Sequence, residues 1–264
     1  MGGRKLPNGL SENKNAILSN PNHDFSRPFE GGPQDIGFLS LLITITGIQS
    51  APYSFFREGI LQTEKSDIRW WGKGECTMHE GNSKIINSGE GDINWDSIAH
   101  NMIVVNETIR FLDDHIENRQ SDPFFAYVAS SVHITHSPPR SYIDGSPIED
   151  TQNTAHMDML YEVDLVLGSL IKALEDRQLI EDTIIVFTSD NGGLGNVTGG
   201  AEFGHKSNGG LKGVKGSLNE GGHRIPMIMR YDRALQSGET RKNIVRVRNC
   251  VTNDLSHCIT IPKH

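Results

Sequence analysis

A run of β-branched and aromatic residues that ends abruptly on a polar, glycine-paired turn constrains this chain more than any other feature. Thr183-Ile184-Ile185-Val186-Phe187-Thr188 leads without a linker into Ser189-Asp190-Asn191-Gly192-Gly193. The first part has the composition of a strand that packs on both faces. The second places two side-chain oxygens just past the strand's carboxyl end, where α/β sheets gather their ligands.

The rest of the chain supplies what such a strand needs. Apolar residues Ile98, Met102, Val105, Ile109, Leu112 and Ile116 recur at spacings of four and three, the stripe of an amphipathic helix with Asp96 as its N-cap. After a Ser121-Asp122-Pro123 break, Phe124-Phe125-Ala126-Tyr127-Val128-Ala129 reads as a short strand buried on both faces. A second helix begins near Thr154, with Leu160, Val163, Leu167, Leu170, Ile171 and Leu174 as its apolar stripe and Asp158, Glu162 and Lys172 off it. Ile225-Pro226-Met227-Ile228-Met229 is a third strand. This alternation predicts an α/β fold with a mostly parallel or mixed sheet flanked by helices. Residues 124–129 and 183–188 are expected as neighbouring or near-neighbouring strands of one sheet. Residues 1 to about 50 are rich in Gly, Asn and Pro up to the apolar stretch at 39–48, and read as loop tied down by one buried segment.

Composition narrows the partners. The 264 residues suffice for one large domain or two small ones, and 36% hydrophobic residues can build a core. A net charge of -8 and the absence of a dense Lys/Arg cluster argue against nucleic acid as the partner. An anionic substrate would have to be met by local cations. The three cysteines, Cys76, Cys250 and Cys258, form no CxxC pair and indicate neither a disulfide framework nor a zinc site. The 39–48 stretch is too short to span a bilayer, and no apolar leader follows Met1. The triplets Asn106-Glu107-Thr108 and Asn196-Val197-Thr198 are glycosylation sequons, a pattern that arises readily by chance.

Three segments carry chemistry. Asp190 and Asn191 offer hard oxygen donors suited to calcium or magnesium, while the same residues with their glycines also make an ordinary strand-ending turn. Ser131-Val132-His133-Ile134-Thr135-His136-Ser137 follows the 124–129 run, and an imidazole there can protonate a leaving oxygen near neutral pH. Two histidines three apart also arise by chance among the 11 in the chain. In Leu211-Lys212-Gly213-Val214-Lys215-Gly216, glycine-flanked lysines can approach an anion closely; a solvated, flexible loop would use the same residues.

Taken in order, these segments resemble the formylglycine-dependent sulfatases, the arylsulfatase-like branch of the alkaline phosphatase superfamily. The resemblance rests on a PFF-Y-A run leading into SVH, on TSDNGG after a β-branched strand, and on LKG-KG-L-EGG-R-P beyond it. Ser26-Arg27-Pro28, Gly31-Gly32-Pro33, Gly37-Phe38 and Pro52-Tyr53 add to it, so that it runs from residue 26 to about 232. It implies that Asp190 and Asn191 bind a divalent cation, usually calcium with magnesium as the alternative. It implies that His133 assists the leaving group, with His136 as a rival one turn later, and that Lys215 binds a sulfate oxygen. The implied substrate is a small-molecule or glycan sulfate ester. For the full-length parent it suggests an exported, periplasmic or lysosomal location.

Departures are equally informative. The family's nucleophile is a formylglycine made from Cys or Ser in a C/S-x-P/A-x-R setting, and neither the phrases around the three cysteines nor Ser137-Pro138-Pro139-Arg140 match it. Two early aspartates of the family's metal site are also not recognisable, and past Arg230 the pattern fades, with Val251-Thr252-Asn253-Asp254-Leu255 as its last phrase. The expectation is therefore residues 1–264 as part of a sulfatase catalytic domain, incomplete at both ends and without the C-terminal subdomain. A phosphoester hydrolase of the same superfamily, or a non-catalytic sulfatase-derived fragment, are the competing readings.

Overall fold

The computed structural model describes residues 27–76, 84–132 and 138–240. The chain divides into two compact units, Met1–Leu170 with Asn196–Lys206, and Ile171–Gly195 with Ser207–His264.

The first unit opens with a three-stranded antiparallel meander, β1 (Leu42–Ile43), β2 (Phe56–Arg57) and β3 (Ile60–Leu61). Glu58 and Gly59 join β2 to β3, and both have positive φ, 50° and 79°. That pair of left-handed residues matches the twist of a two-residue hairpin, which is why a glycine stands there. β4 (Ile68–Trp71) and β5 (Gly89–Asp92) form a second antiparallel pair, in register from Ile68 opposite Asp92 to Trp71 opposite Gly89. Tyr53 docks on β5, its N–H donating to Glu90 O at 2.9 Å while its carbonyl accepts from Asp92 N at 2.8 Å. Over this pairing sits a core of Ile48, Ala51, Tyr53, Trp71, Ile85, Trp95 and Met159. The expectation that the 39–48 segment is buried holds at Leu41 and Ile48, which are 7% and 3% exposed, and fails at Leu39 and Ile45, which are 80% and 38% exposed.

α1 (His100–Arg119) carries the predicted stripe inward, with Val105 and Leu112 buried and Met102 and Ile109 packed on a second core of Val105, Tyr142, Ile148 and Val166. Ala99 is the N-cap; Asp96 instead accepts a hydrogen bond from Ile98 N at 3.1 Å, in the turn that precedes the helix. α2 (Ala155–Asp176) starts where expected but presents a different face. Met159, Val166, Ala173 and Leu174 are buried together with Asp158 and Glu162, whereas Leu160 is exposed. The stripe read from apolar residues alone is thus rotated, because a carboxylate with enough partners or a neutral carboxyl can occupy an inward position.

The second unit holds β6 (Ile185–Thr188) and β7 (Met227–Arg230), paired antiparallel from Ile185 opposite Arg230 to Thr188 opposite Met227. Between them lies α3 (Glu220–His223), a single turn whose Gly221 and Gly222 are buried. The tail of α2 contributes Ala173 and Leu174, and Arg230 on β7 pairs with Glu175 at 3.5 Å.

One strand expectation fails. Residues 124–129 join no ladder among the described residues, so they are not a sheet neighbour of β6, and Phe125 and Tyr127 are 62% and 76% exposed. The apolar run makes ring contacts instead: Phe124 lies edge-on to Phe111 at 5.9 Å and to His115 at 5.1 Å, and Phe125 reaches Phe38 at 5.9 Å. A continuous apolar run says that a segment will seek cover, but a ladder also requires a partner strand from elsewhere in the chain. The named ladders among the described residues are all antiparallel; the parallel geometry occurs as a single bridge between Tyr53 and Gly91.

Candidate functional site

In the second unit, the turn after β6 and the loop before β7 are joined through main chain. Gly192 N–H donates to Gly222 O at 3.0 Å, and Lys215 N–H donates to Gly193 O at 3.0 Å. Gly221 N–H reaches back to Lys212 O at 2.8 Å. Glycine is what permits this closeness. A Cβ on Gly192 would stand 2.0 Å from Gly221 O, one on Gly221 would stand 2.3 Å from Gly213 O, and one on Gly222 would stand 2.1 Å from Ser217 O. Gly192 thus admits the facing loop, while Gly221 and Gly222 let that loop fold closely on its own backbone.

Asp190, Asn191 and Lys215 are carried on these two loops. Asp190 and Lys215 are exposed, and Asn191 is half-buried. Ser189 Oγ donates to Asn191 O at 3.1 Å and lies 3.5 Å from Asp190 Oδ1. Asn191 commits its amide nitrogen to Gly192 O at 3.0 Å, which leaves its side-chain oxygen as the atom it can offer a ligand. The strand-ending turn and the donor pair are thus the same structure. Two hard oxygens suit calcium or magnesium in kind, yet calcium takes about six to eight. Among the described residues, no group of three or more His, Cys, Asp or Glu is placed to hold a metal.

His133 and His136 lie outside the described residues. The residue that leads into their segment, Ser131, is gripped by a side chain from α1. Asn101, 3% exposed, accepts from Ser131 N at 2.8 Å and donates to Ser131 O at 3.0 Å. Asn101 stands three residues after Ile98 and four before Val105, on the flank of the α1 stripe, and that phase is the one sequence signal of its burial.

Two further titratable groups escape a reading by pattern. Burial pushes Glu162 up to about 7, with a hydrogen bond from Asn101 pulling the other way, and burial pushes His100 down to about 4. Glu162 Oε1 and His100 Nδ1 have no hydrogen-bond partner among the described residues. Both groups are held near neutrality of charge because ions there would lose their hydration without a counter-charge.

A family model described as Sulfatase matches residues 63–258. Human arylsulfatase A is 34% identical over 128 residues, covering 47% of this chain and 23% of that one. Human steryl-sulfatase is 37% identical over 90 residues, covering 34% and 15%. The N-acetylgalactosamine-6-O-sulfatase of Bacteroides thetaiotaomicron is 30% identical over 135 residues, covering 49% and 25%. The chain therefore spans a quarter or less of the length of these relatives. A solved sulfatase structure from work on glycosaminoglycan metabolism by Bacteroides thetaiotaomicron superposes with a TM-score of 0.66 at 24% identity, over 81% of this chain and 49% of that one. That likeness supports the alkaline phosphatase-like α/β architecture, and with the family match across most of its length the chain belongs to the sulfatase family.

Proposed function

We propose that this chain carries part of the active site of a sulfuric ester hydrolase, with Lys215 binding a sulfate oxygen and Asp190 and Asn191 contributing oxygens to a divalent-cation site, calcium or magnesium. The observation that carries this reading is the hydrogen bond from Lys215 N–H to Gly193 O, which sets an ammonium-bearing residue beside the Asp-Asn turn. His133, or His136 one turn later, is the residue proposed to protonate the leaving oxygen.

The chemistry asks for these groups. In sulfate-ester cleavage, negative charge moves onto the leaving oxygen while the sulfuryl oxygens stay anionic. An ammonium on a fixed backbone stabilises the sulfuryl group, and an imidazolium delivers a proton to the departing alkoxide or phenoxide. A bound cation would supply further positive charge when present. The relatives act, by their names, on steryl and N-acetylgalactosamine-6-O sulfates, so the proposed substrate is a sulfated small molecule or glycan.

No residue of the sequence stands in a formylglycine phrase, and we infer that the 264 residues alone perform no turnover because the covalent step lacks its nucleophile. The chain as given, assayed on an aryl sulfate and an aryl phosphate with calcium added, should release no phenol from either. Clear release from the sulfate, abolished by His133→Ala, would show that a nucleophile exists elsewhere in the chain. Release from the phosphate alone would favour a phosphoester hydrolase instead.

A further inference from the structure

Between the two motif loops lies a pair of residues that neither motif includes, Ser207 and Asn208. Asn208 Nδ2 donates to Gly213 O at 2.6 Å, which takes hold of the lysine-bearing loop. On the other side, a Cβ on Gly193 would stand 2.6 Å from Asn208 Oδ1 and 2.7 Å from Ser207 Cβ, so the Asp-Asn-Gly-Gly turn rests directly on this pair. Ser207 Oγ accepts from Gly195 N at 3.2 Å, fixing the same turn two residues later. One short segment therefore holds residues 193–195 with one side chain and residue 213 with the next. The Lys215 N–H to Gly193 O bond closes the ring.

The amide of Asn208 is used in an unusual way. Its oxygen is buried and has no hydrogen-bond partner among the described residues, so the side chain forgoes solvation of that atom in order to stand against Gly193. A residue retained only for solubility or turn formation would turn that oxygen outward. We propose that Asn208 is a positioning residue: it sets the spacing between Lys215 and the Asp190–Asn191 turn, and thereby the place where a sulfate can be shared between them. This rests on the sulfate-binding reading of Lys215 given above. An ammonium on a flexible stem gains its selectivity from where its backbone is anchored, and displacements of about 1 Å are enough to cost a charged site much of its strength.

Two readouts on the full chain test the proposal separately. Hydrogen exchange at the Lys215 amide reports whether the clasp holds. Asn208→Asp keeps the shape but replaces the donor to Gly213 O with a second oxygen; Asn208→Ala serves if that charge disrupts folding. In either, the Lys215 amide should exchange roughly tenfold faster while amides of β6 and β7 keep their rates, a change equivalent to one lost hydrogen bond. Inorganic sulfate titrated into the same proteins should bind about tenfold more weakly than to the parent. Unchanged exchange at Lys215 in both variants overturns the clasp. Faster exchange with unchanged sulfate affinity overturns the positioning role. If the parent binds sulfate no better than Lys215→Ala does, the sulfate reading itself is what fails, and the exchange rates still decide whether Asn208 joins the loops.

Discussion

The two units hold their polar loops with a different balance of means. In the first, buried side chains do the holding: Asn101 grips both backbone groups of Ser131, and Asp158 accepts from Asp150 N at 3.1 Å, Thr151 Oγ1 at 3.2 Å and Gln152 N at 2.7 Å. In the second, main chain meets main chain through glycines, braced by the Ser207 and Asn208 side chains, while Asp190 and Lys215 are exposed. A loop held by a side chain can be loosened by degrees, or made to respond to pH. A loop held by glycine contacts has no intermediate setting, since a Cβ added at Gly192, Gly221 or Gly222 collides with backbone.

The sharpest way to break this contrast is Gly192→Val. Its Cβ would stand 2.0 Å from Gly221 O and 3.0 Å from the Gly222 carbonyl carbon, with no flexible side chain to move aside. We expect a loss of about 4 kcal/mol, in the range reached when overpacking cannot relax. Hydrogen exchange in β6 and β7 should rise throughout the second unit, and near-parental protection there would show that backbone contact does not organise these loops.

Glu162→Gln should act in the other direction, and only at some pH values. The folded value of Glu162, about 7, lies above its ordinary 4.5, so the fold holds the neutral form. Its contribution is fully present below pH 4.5 and is lost as the pH rises through 7. The substitution should therefore stabilise the chain by about 3 kcal/mol at pH 8 and leave it unchanged at pH 4. His100 works oppositely: its folded value of about 4 lies below 6.5, so stability falls as the pH drops through that window. The parent's stability should vary little between these limits, and Glu162→Gln should uncover the histidine's slope in denaturant melts across pH 4 to 8. A gain at pH 8 absent from those melts would mean that Glu162 is charged within the fold.

Asp158→Ala offers the smaller test of side-chain anchoring. Removing a carboxylate that is 2% exposed and receives three hydrogen bonds should cost about 2 kcal/mol and expose the 150–152 turn to proteolysis before the rest of the first unit. An equal loss of protection at Ser131 would argue that the first unit's anchors act as one network rather than singly.

What could be read in advance followed the range of the forces involved. Helical stripes and glycine-paired turns are local patterns, and α1, the start of α2, β6 and β7 lie close to their expected places. The order of the PFF-Y-A run into SVH, TSDNGG and the lysine loop likewise pointed to a sulfatase. The face α2 turns inward was not legible, because whether Glu162 and Asp158 face water depends on partners such as Asn101 and the 150–152 backbone. Residues 124–129 were not legible for a related reason: their apolar content was plain, but a ladder needs a second strand, and the rings of Phe111 and His115 pack only on Phe124 while Phe125 and Tyr127 stay exposed.

Sequence by itself determined the family, the two long helices and the strands at 185–188 and 227–230, since each depends on side-chain chemistry or on neighbours a few positions away. Only the tertiary structure decided that Gly192 makes room for the Gly221 carbonyl and Gly193 for the side chains of Ser207 and Asn208, and that Asn208, 17 positions beyond Asn191, stands between their loops. Close backbone approach and the direction of a single amide depend on segments distant in the chain, and no local pattern records which of them will meet.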